Sequence, residues 1–148
     1  MDRISHNEGL VICSILYLMV GNVKEISRIN LLTVLSVDGA IRKRLSKYNN
    51  YFEFINSEAI FDQALNRKFK EFQPIILNAM TMMQMTGIIE HGKGTEIELT
   101  VKGCWMAIDA NDLQSEAVHE IRFAVDYLNN LVNGIETTTL YKNLQIIL

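Results

Sequence analysis

The sequence predicts a mainly α-helical fold that carries one small β-hairpin. Three observations predict it: apolar residues recur at helical spacing through most of the 148 residues, strand-like alternation is confined to residues 88–99, and proline occurs once, at Pro74. Apolar residues make up 49% of the chain and charged residues 21%, which is typical of a folded domain and excludes a long disordered tail. A chain of this length holds one full hydrophobic core, so we expect a single domain over 1–148.

The first part of the chain is predicted to form two apolar helices. Ser5-His6-Asn7-Glu8 fits a Ser-x-x-Glu capping box, which predicts a helix over about 7–20 that ends at Gly21-Asn22. This helix is apolar on nearly every face, so we expect other elements or a partner chain to surround it. Ser27 is expected to cap a second, short helix, whose apolar residues are Leu31, Leu32 and Leu35.

The middle of the chain carries further helical segments. Asp38-Gly39 introduces one of them, with Ile41 and Leu45 at helical spacing. An amphipathic stripe follows, formed by Phe61, Leu65, Phe69 and Phe72. Pro74 fits the first position of the next helix, where the missing amide hydrogen costs nothing, and Gly87 supplies the left-handed stop.

Residues 88–99 predict a two-stranded hairpin. Ile88-Ile89-Glu90-His91 and Glu96-Ile97-Glu98-Leu99 have strand composition, and Gly92-Lys93-Gly94-Thr95 between them is typical of a tight turn. Thr100 can then cap a helix that holds Trp105, Met106 and Ile108. A longer helix is predicted over about 113–132, and a short final helix begins within 137–139.

The order of elements from Phe69 to Met106 resembles the winged-helix core of helix-turn-helix proteins. In that fold a Gly-hydrophobic-Ile strand, a wing and a Leu-Thr-x-x-Gly segment follow the third helix, and this chain has Gly87-Ile88-Ile89 and Leu99-Thr100-Val101-Lys102-Gly103. The resemblance implies a winged helix-turn-helix-like core over about 31–108, with an N-terminal helix before it and a C-terminal helical extension over about 111–148. The alternative is an unrelated helical domain with an incidental hairpin.

The third helix of this core lacks the basic residues with which a winged helix usually binds DNA, and its polar positions are only Asn78, Thr81, Gln84 and Thr86. Residues 74–86 contain no Lys or Arg. Leu77, Met82 and Met85 remain apolar after the inward face has been assigned. They form a candidate protein interface, because methionine adapts to irregular partner surfaces.

Charge is unevenly distributed along the chain. The net charge of −3 divides into +1 for residues 1–103 and −4 for residues 104–148, where two bases stand against six acids. The predicted wing sets three glutamates against Lys93, which would repel phosphate there. Bases cluster in two segments, at Arg42, Lys43, Arg44 and Lys47 and at Arg67, Lys68 and Lys70. This basic cluster is either a solvated helix face or a candidate contact for the DNA backbone.

The C-terminal part has more apolar residues than one buried stripe requires. In the long helix, Phe123, Tyr127 and Leu131 form a second apolar face, which would serve a partner or a self-dimer unless it belongs to a deep core. The chain ends on three apolar residues that join this candidate interface, since an uncovered terminus normally frays in water. They are Ile146, Ile147 and Leu148.

The sequence contains no credible catalytic or cofactor-binding constellation. His6, His91 and His119 lie far apart without Cys or carboxylate partners at ligand spacing, so no metal site is predicted. Cys13 and Cys104 lie in apolar surroundings and are expected to be buried, reduced thiols. The most apolar stretch, 10–20, is too short to span a bilayer. We therefore expect a cytoplasmic protein that is not an enzyme and needs no cofactor.

Together with the small size and the helical first half, several segments resemble the middle component of three-component systems built on an SMC-like ABC ATPase, such as the Lamassu group. They are Arg67 to Phe72, Pro74 with Asn78-Ala79, Gly87-Ile88-Ile89 and the two-strand wing. The resemblance covers about 9–108 and implies a non-catalytic adaptor that joins the ATPase to a nuclease-type effector in bacterial anti-phage and anti-plasmid defence. The alternative is a winged-helix transcriptional regulator that binds DNA and dimerises through its C-terminal helix.

Overall fold

A computed structural model describes residues 2–61, 63–112 and 115–146 of the chain. Over these residues the chain forms eight helices and one antiparallel two-stranded sheet, which confirms the mainly helical fold with a hairpin. The elements in order are α1 Asp2–Val20, α2 Ile26–Val37, α3 Gly39–Leu45, α4 Tyr51–Phe61, α5 Gln63–Met85, β1 Ile89–His91, β2 Ile97–Leu99, α6 Val101–Asn111, α7 Glu116–Leu131 and α8 Thr137–Asn143.

Helix α1 lies at the centre of the molecule, where α2, α5, α6 and α7 all contact it. Val11, Ile15 and Leu18 on it are fully buried, so the expectation that other elements surround this helix is confirmed. The capping box was wrong as a start signal, because the helix already begins at Asp2 and Ser5 lies inside it. Extending a formed helix by one turn costs much less than nucleating it, so the earlier residues join.

Two of the predicted caps differ in outcome. Asp38 caps α3 as expected, since its Oδ2 accepts a hydrogen bond from the Ile41 amide at 3.0 Å. Ser27 does not cap α2, because that helix begins at Ile26, one residue earlier, and Glu25 is its N-cap. The backbone of Glu25 pairs with Glu96 beside the hairpin, and this pairing sets where the helix begins.

Helix α5 runs without interruption from Gln63 to Met85, so the prediction that Pro74 starts a new helix was wrong. An internal proline removes one backbone hydrogen bond and costs roughly 3 kcal/mol. Here the side-chain amide of Gln73 donates to the Phe69 carbonyl at 3.2 Å, beside the interrupted ladder. Burial on both sides of the proline outweighs the loss. The buried side chains are Leu65, Phe69, Ile76, Ala79 and Met83.

The hairpin is the predicted one, and a third segment extends it. Strands β1 and β2 pair with Glu90 directly opposite Glu98. The segment between α1 and α2 lies beside the hairpin, because the Ile97 amide donates to the Lys24 carbonyl at 2.9 Å and the Ile26 amide donates to the Thr95 carbonyl at 3.0 Å. The hairpin is therefore tied to the helical core at its own edge.

Helix α6 is attached to the hairpin through its first turn. Thr100 caps it as predicted, since its hydroxyl accepts from the Gly103 amide at 3.0 Å, and its own amide donates to the Ile88 carbonyl at 3.1 Å. A Cβ on Gly103 would lie 2.1 Å from that same Ile88 oxygen. Only glycine permits this approach of helix to backbone.

The last two helices pack onto the core. Helix α7 contacts α1, α2 and α3, and α8 contacts α2. Arg28 on α2 joins them, because its guanidinium donates to the Ile135 carbonyl at 2.7 Å and to the Val132 carbonyl at 3.0 Å, where α7 ends. The Tyr141 hydroxyl on α8 donates to the Ser27 carbonyl at 2.5 Å. The residues of the C-terminal extension thus pack directly against the central helices.

We predict that Gly103→Ala lowers the free energy of unfolding by about 1–3 kcal/mol, because the new methyl group must displace the Ile88 carbonyl or the first turn of α6. Gly9→Ala is the matched control. Gly9 lies in helix α1 with no atom within 4 Å of the added Cβ, so this change should leave stability unchanged or raise it by up to about 1 kcal/mol. Urea denaturation followed by circular dichroism measures both. Equal stability of the two variants would contradict the close contact.

Candidate functional site

The outward side of the second half of α5 is uncharged and carries three large apolar side chains among polar ones such as Asn78, Thr81 and Gln84. Ile76, Ala79 and Met83 turn inward and are buried, whereas Leu77, Met82 and Met85 are exposed, with Met85 at 83%. We call these three exposed residues the α5 face. The stretch 74–86 has no Lys or Arg. A surface of this kind binds phosphate poorly and suits a protein partner.

The hairpin next to the α5 face carries negative charge. Glu90 and Glu98 lie directly opposite each other in the pairing register, and Glu96 follows the turn. Of these, Glu98 lies 3.7 Å from the Lys24 ammonium, in a pair that is largely exposed and so only weakly bound. The hairpin therefore repels the DNA backbone at low salt.

In the basic cluster, Arg44 is committed to a buried carboxylate. Its Nε and Nη2 donate to the two oxygens of Glu58 at 2.9 and 2.7 Å, and the Tyr48 hydroxyl also donates to Glu58. Glu58 is 0% exposed. The carboxylate accepts three donors and the pair is bidentate, the geometry that compensates for burying a charge.

The ionisation of this site follows from its contacts. The hydrogen bond from Arg44 to Glu58 raises the pKa of the guanidinium, so Arg44 stays charged. Burial, together with the bond to Glu58, raises the pKa of Tyr48 to about 12. Tyr48 therefore keeps its proton and remains a donor to the carboxylate at neutral pH.

Two further members of the basic cluster have structural partners. The Arg42 guanidinium donates to the Ser36 and Val37 carbonyls at 3.2 and 2.9 Å, at the end of α2, and lies 3.6 Å from a Glu120 oxygen. A cation at this position stabilises a helix C-terminus. The Lys68 ammonium lies 3.2 Å from Asp38, the residue that caps α3. Neither side chain presents its charge fully to solvent.

The remaining bases are exposed. Arg67 is paired one turn along α5 with Glu71, at 3.8 Å. Lys43, Lys47 and Lys70 lie on the surface. The structure therefore divides the basic cluster. Arg42, Arg44 and Lys68 bond to groups on other elements of the fold. The other four members, Lys43, Lys47, Arg67 and Lys70, are exposed.

The candidate interface at the C-terminal end is only partly exposed. Phe123 is exposed and stacks on Tyr127, with ring centroids 6.0 Å apart. Tyr127 and Leu131 are half-buried, and the Tyr127 hydroxyl donates to the Tyr48 carbonyl at 2.5 Å. Ile146 is buried in the core of the chain itself, so its assignment to an interface was wrong. Ile147 and Leu148 lie outside the described residues.

Helix α6 presents an apolar surface that the sequence did not reveal. Val101 is 77% exposed, Trp105 64% and Ile108 51%, and Cys104 beside them is exposed as well. Val20 at the end of α1 and Ile108 of this stripe line the same cleft, of about 500 Å³. We call these five residues the α6 face. The helix turns its small residues inward instead, so the prediction of a buried Cys104 was wrong.

The other cysteine, which was also expected to be buried, is only partly so. Cys13 on α1 is half-buried, and burial raises the pKa of its thiol. A protonated thiol is a weak nucleophile. Within the described ranges, no three His, Cys, Asp or Glu side chains gather where they could hold a metal ion. In the same part of the chain, no helix is both long enough and apolar enough to cross a bilayer.

Comparison with protein-family models, with curated proteins and with solved structures finds no match to this chain. The features that bear on its function are the α5 face, the α6 face and the distribution of charge.

We predict that Arg44→Ala lowers the free energy of unfolding by about 3 kcal/mol, because it leaves the fully buried Glu58 carboxylate without its cation. The neighbouring Lys43 is exposed, so Lys43→Ala should change stability by less than about 0.5 kcal/mol. Chemical denaturation at pH 7 compares the two variants. If both arginine and lysine variants unfold at the wild-type midpoint, Arg44 has no structural role and belongs to a surface patch.

Proposed function

We propose that this chain is a non-catalytic adaptor subunit of an SMC-like ABC ATPase complex, in which it links the ATPase to a nuclease-type effector in bacterial anti-phage and anti-plasmid defence. The observation that carries the proposal is the α5 face. Three large apolar side chains are exposed there, on the stretch 74–86 that has no basic residue. The sequence resemblance supplies the class of partner, and the apolar face supplies the kind of contact.

A winged-helix arrangement is part of this proposal. Helix α1, the Glu25 segment, α2 and α5 are followed by the hairpin, and α1, α2 and α5 contact one another. This order favours α5 as the third helix of a winged-helix core, with the Glu25 segment as the short third strand. The proposed core then begins with α1, whereas the sequence resemblance placed it at about 31–108 with that helix outside. Helices α3 and α4 lie between α2 and α5 along the chain and would be an insertion in that core.

The charge distribution supports a protein partner over DNA for the α5 face. A helix that reads bases in the major groove also needs basic residues for the phosphates, and α5 exposes Asn78 and Gln84 but has no Arg or Lys over 74–86. The hairpin beside this helix carries glutamates, and the arginines of α3 are occupied by Glu58 and by the end of α2. Lys43, Lys47 and Lys70 are left to give the assembled complex a weak, sequence-independent contact with the DNA backbone.

We expect Leu77→Asp combined with Met85→Asp to abolish co-purification of this chain with an SMC-like ATPase encoded beside it. Both side chains are exposed, so the double variant should fold normally and lose only the contact, by roughly 30-fold in affinity. Phe52→Asp is the matched control, since Phe52 is an equally exposed apolar residue on α4 and should leave co-purification intact.

Two outcomes would contradict the adaptor. One is a chain that purifies alone and binds a specific DNA operator, which is the behaviour of a dimeric winged-helix regulator. The other is unchanged co-purification of the Leu77→Asp, Met85→Asp variant, which would exclude the α5 face as the contact with the ATPase.

A further inference from the structure

The α6 face is distinct from the α5 face and has an origin of its own. Gly103, Ala107 and Ala110 follow one another at helical spacing and are buried, so they form the inward side of α6. The opposite side carries Val101, Trp105 and Ile108 at the same spacing, all more than half exposed. A helix that turns Gly and Ala inward and Trp outward has a second apolar side that its own chain leaves uncovered.

The charges along the border of the α6 face are balanced. Lys102 and Asp109 are exposed and lie seven residues apart, so they share one flank of the helix at a separation of about 10 Å. On the opposite flank, Lys24 and Glu98 pair across the cleft at 3.7 Å. Each of these two borders thus holds one positive and one negative charge, and the exposed Asp112 lies beyond them at the C-cap of α6.

We propose that the α6 face binds a second copy of this chain, with the two α6 helices packed antiparallel about a two-fold axis near Trp105. In a two-fold interface the same patch of both copies meets. A charge near one end of a border must therefore face an opposite charge near the other end of the same border. Antiparallel packing places Lys102 of one copy against Asp109 of the other, twice, and brings the two Trp105 rings together at the centre. The Lys102 ammonium already donates to the Thr86 carbonyl at 2.8 Å, which holds its position and leaves two donors for the partner's carboxylate.

The same geometry disfavours other arrangements. A parallel two-fold pair of α6 helices would bring the flank with Lys102 and Asp109 against the opposite flank of the other copy, so it would not form the Lys102–Asp109 pairs. A nucleic acid would meet an apolar stripe whose borders hold as many acids as bases, which gives its phosphates no net attraction. A second copy meets complementary charge at the border and a matching apolar stripe at the centre, in the arrangement of core and rim that protein interfaces have.

This pairing goes beyond the adaptor role and does not rest on it. Leu77 is not part of the α6 face and lies nine residues before Thr86, whose carbonyl Lys102 contacts at the border, so a dimer formed through α6 leaves Leu77 open. The chain would enter its complex as a pair. Failure of the dimer and failure of the adaptor are separable, because the first is read from the purified chain alone and the second from co-purification with the ATPase.

Sedimentation velocity of the purified full chain over a range of concentrations tests the proposal. We expect the wild-type chain to be a dimer, and Trp105→Asp to weaken the association by roughly 30-fold or more. Leu77→Asp is the matched control on the α5 face and should leave the dimer intact. A wild-type chain that is monomeric at every concentration overturns the proposal, and so does a dimer that Trp105→Asp leaves unchanged.

Exchanging the charges of Lys102 and Asp109 provides a second test. It distinguishes a contact between copies from a structural role of Lys102 within its own chain. Lys102→Asp alone and Asp109→Lys alone should each weaken the dimer by about tenfold, because each places like charges together at two symmetric points. The combined variant should return toward the wild-type affinity. Lys102 and Asp109 are too far apart within one helix to compensate each other, so recovery identifies contact between copies. If the combined variant is weaker than either single variant, the antiparallel pairing is overturned.

Discussion

The contact between Gly103 and the Ile88 carbonyl determines which side of α6 faces the core, and the apolar character of the surface depends on it. The approach is so close that no side chain fits, and Thr100 reinforces it by bonding to the same carbonyl. With Gly103 turned inward, Ala107 and Ala110 must follow, and Val101, Trp105 and Ile108 must face solvent. The α6 face is therefore a direct consequence of one backbone contact, and it lies where α1, α6 and the hairpin meet.

A second constraint removes positive charge from the surface. Glu58 is buried completely and requires the Arg44 guanidinium and the Tyr48 hydroxyl, while Arg42 closes the end of α2. An arginine that holds two helices together makes a poor phosphate ligand, because leaving would expose a buried carboxylate and free carbonyls. Three of the seven members of the basic cluster, Arg42, Arg44 and Lys68, thus bond to other parts of the fold. This favours a protein partner for the exposed helices and leaves three lysines and Arg67 for any DNA contact.

Much of the fold could be predicted from the sequence, because its signals are local. Gly87 has the positive φ of a helix stop, Asp38 and Thr100 are caps, and the alternation of residues 96–99 predicts a strand. The errors concern positions where tertiary contacts decide. Pro74 lies inside α5 because apolar residues on both sides of it bury together, and the start of α2 is set by the pairing of Glu25 with Glu96.

The candidate surfaces, like the fold, could be predicted only where the sequence signal is local. The exposed side of α5 followed from amphipathic spacing, since its inward stripe is large and apolar. The usual rule that large apolar residues form the buried side of a helix fails on α6, where the small residues are buried and Trp105 is exposed. Only the packing of Gly103 on Ile88 reveals this orientation. The role of Arg44 depends on Glu58, fourteen residues away on another helix, a partner that no local pattern identifies.

Contact of the α5 face with a protein can be measured directly, because Met82, Met83 and Met85 lie close together on this helix and differ in exposure. Mild peroxide oxidation of the free chain, followed by mass spectrometry of its peptides, should modify the exposed Met82 and Met85 and spare the buried Met83. In complex with the SMC-like ATPase, we expect Met82 and Met85 to be protected and Met83 to be unchanged. Oxidation of Met82 and Met85 at the free rate in the complex, with protection by a DNA duplex instead, would contradict this expectation.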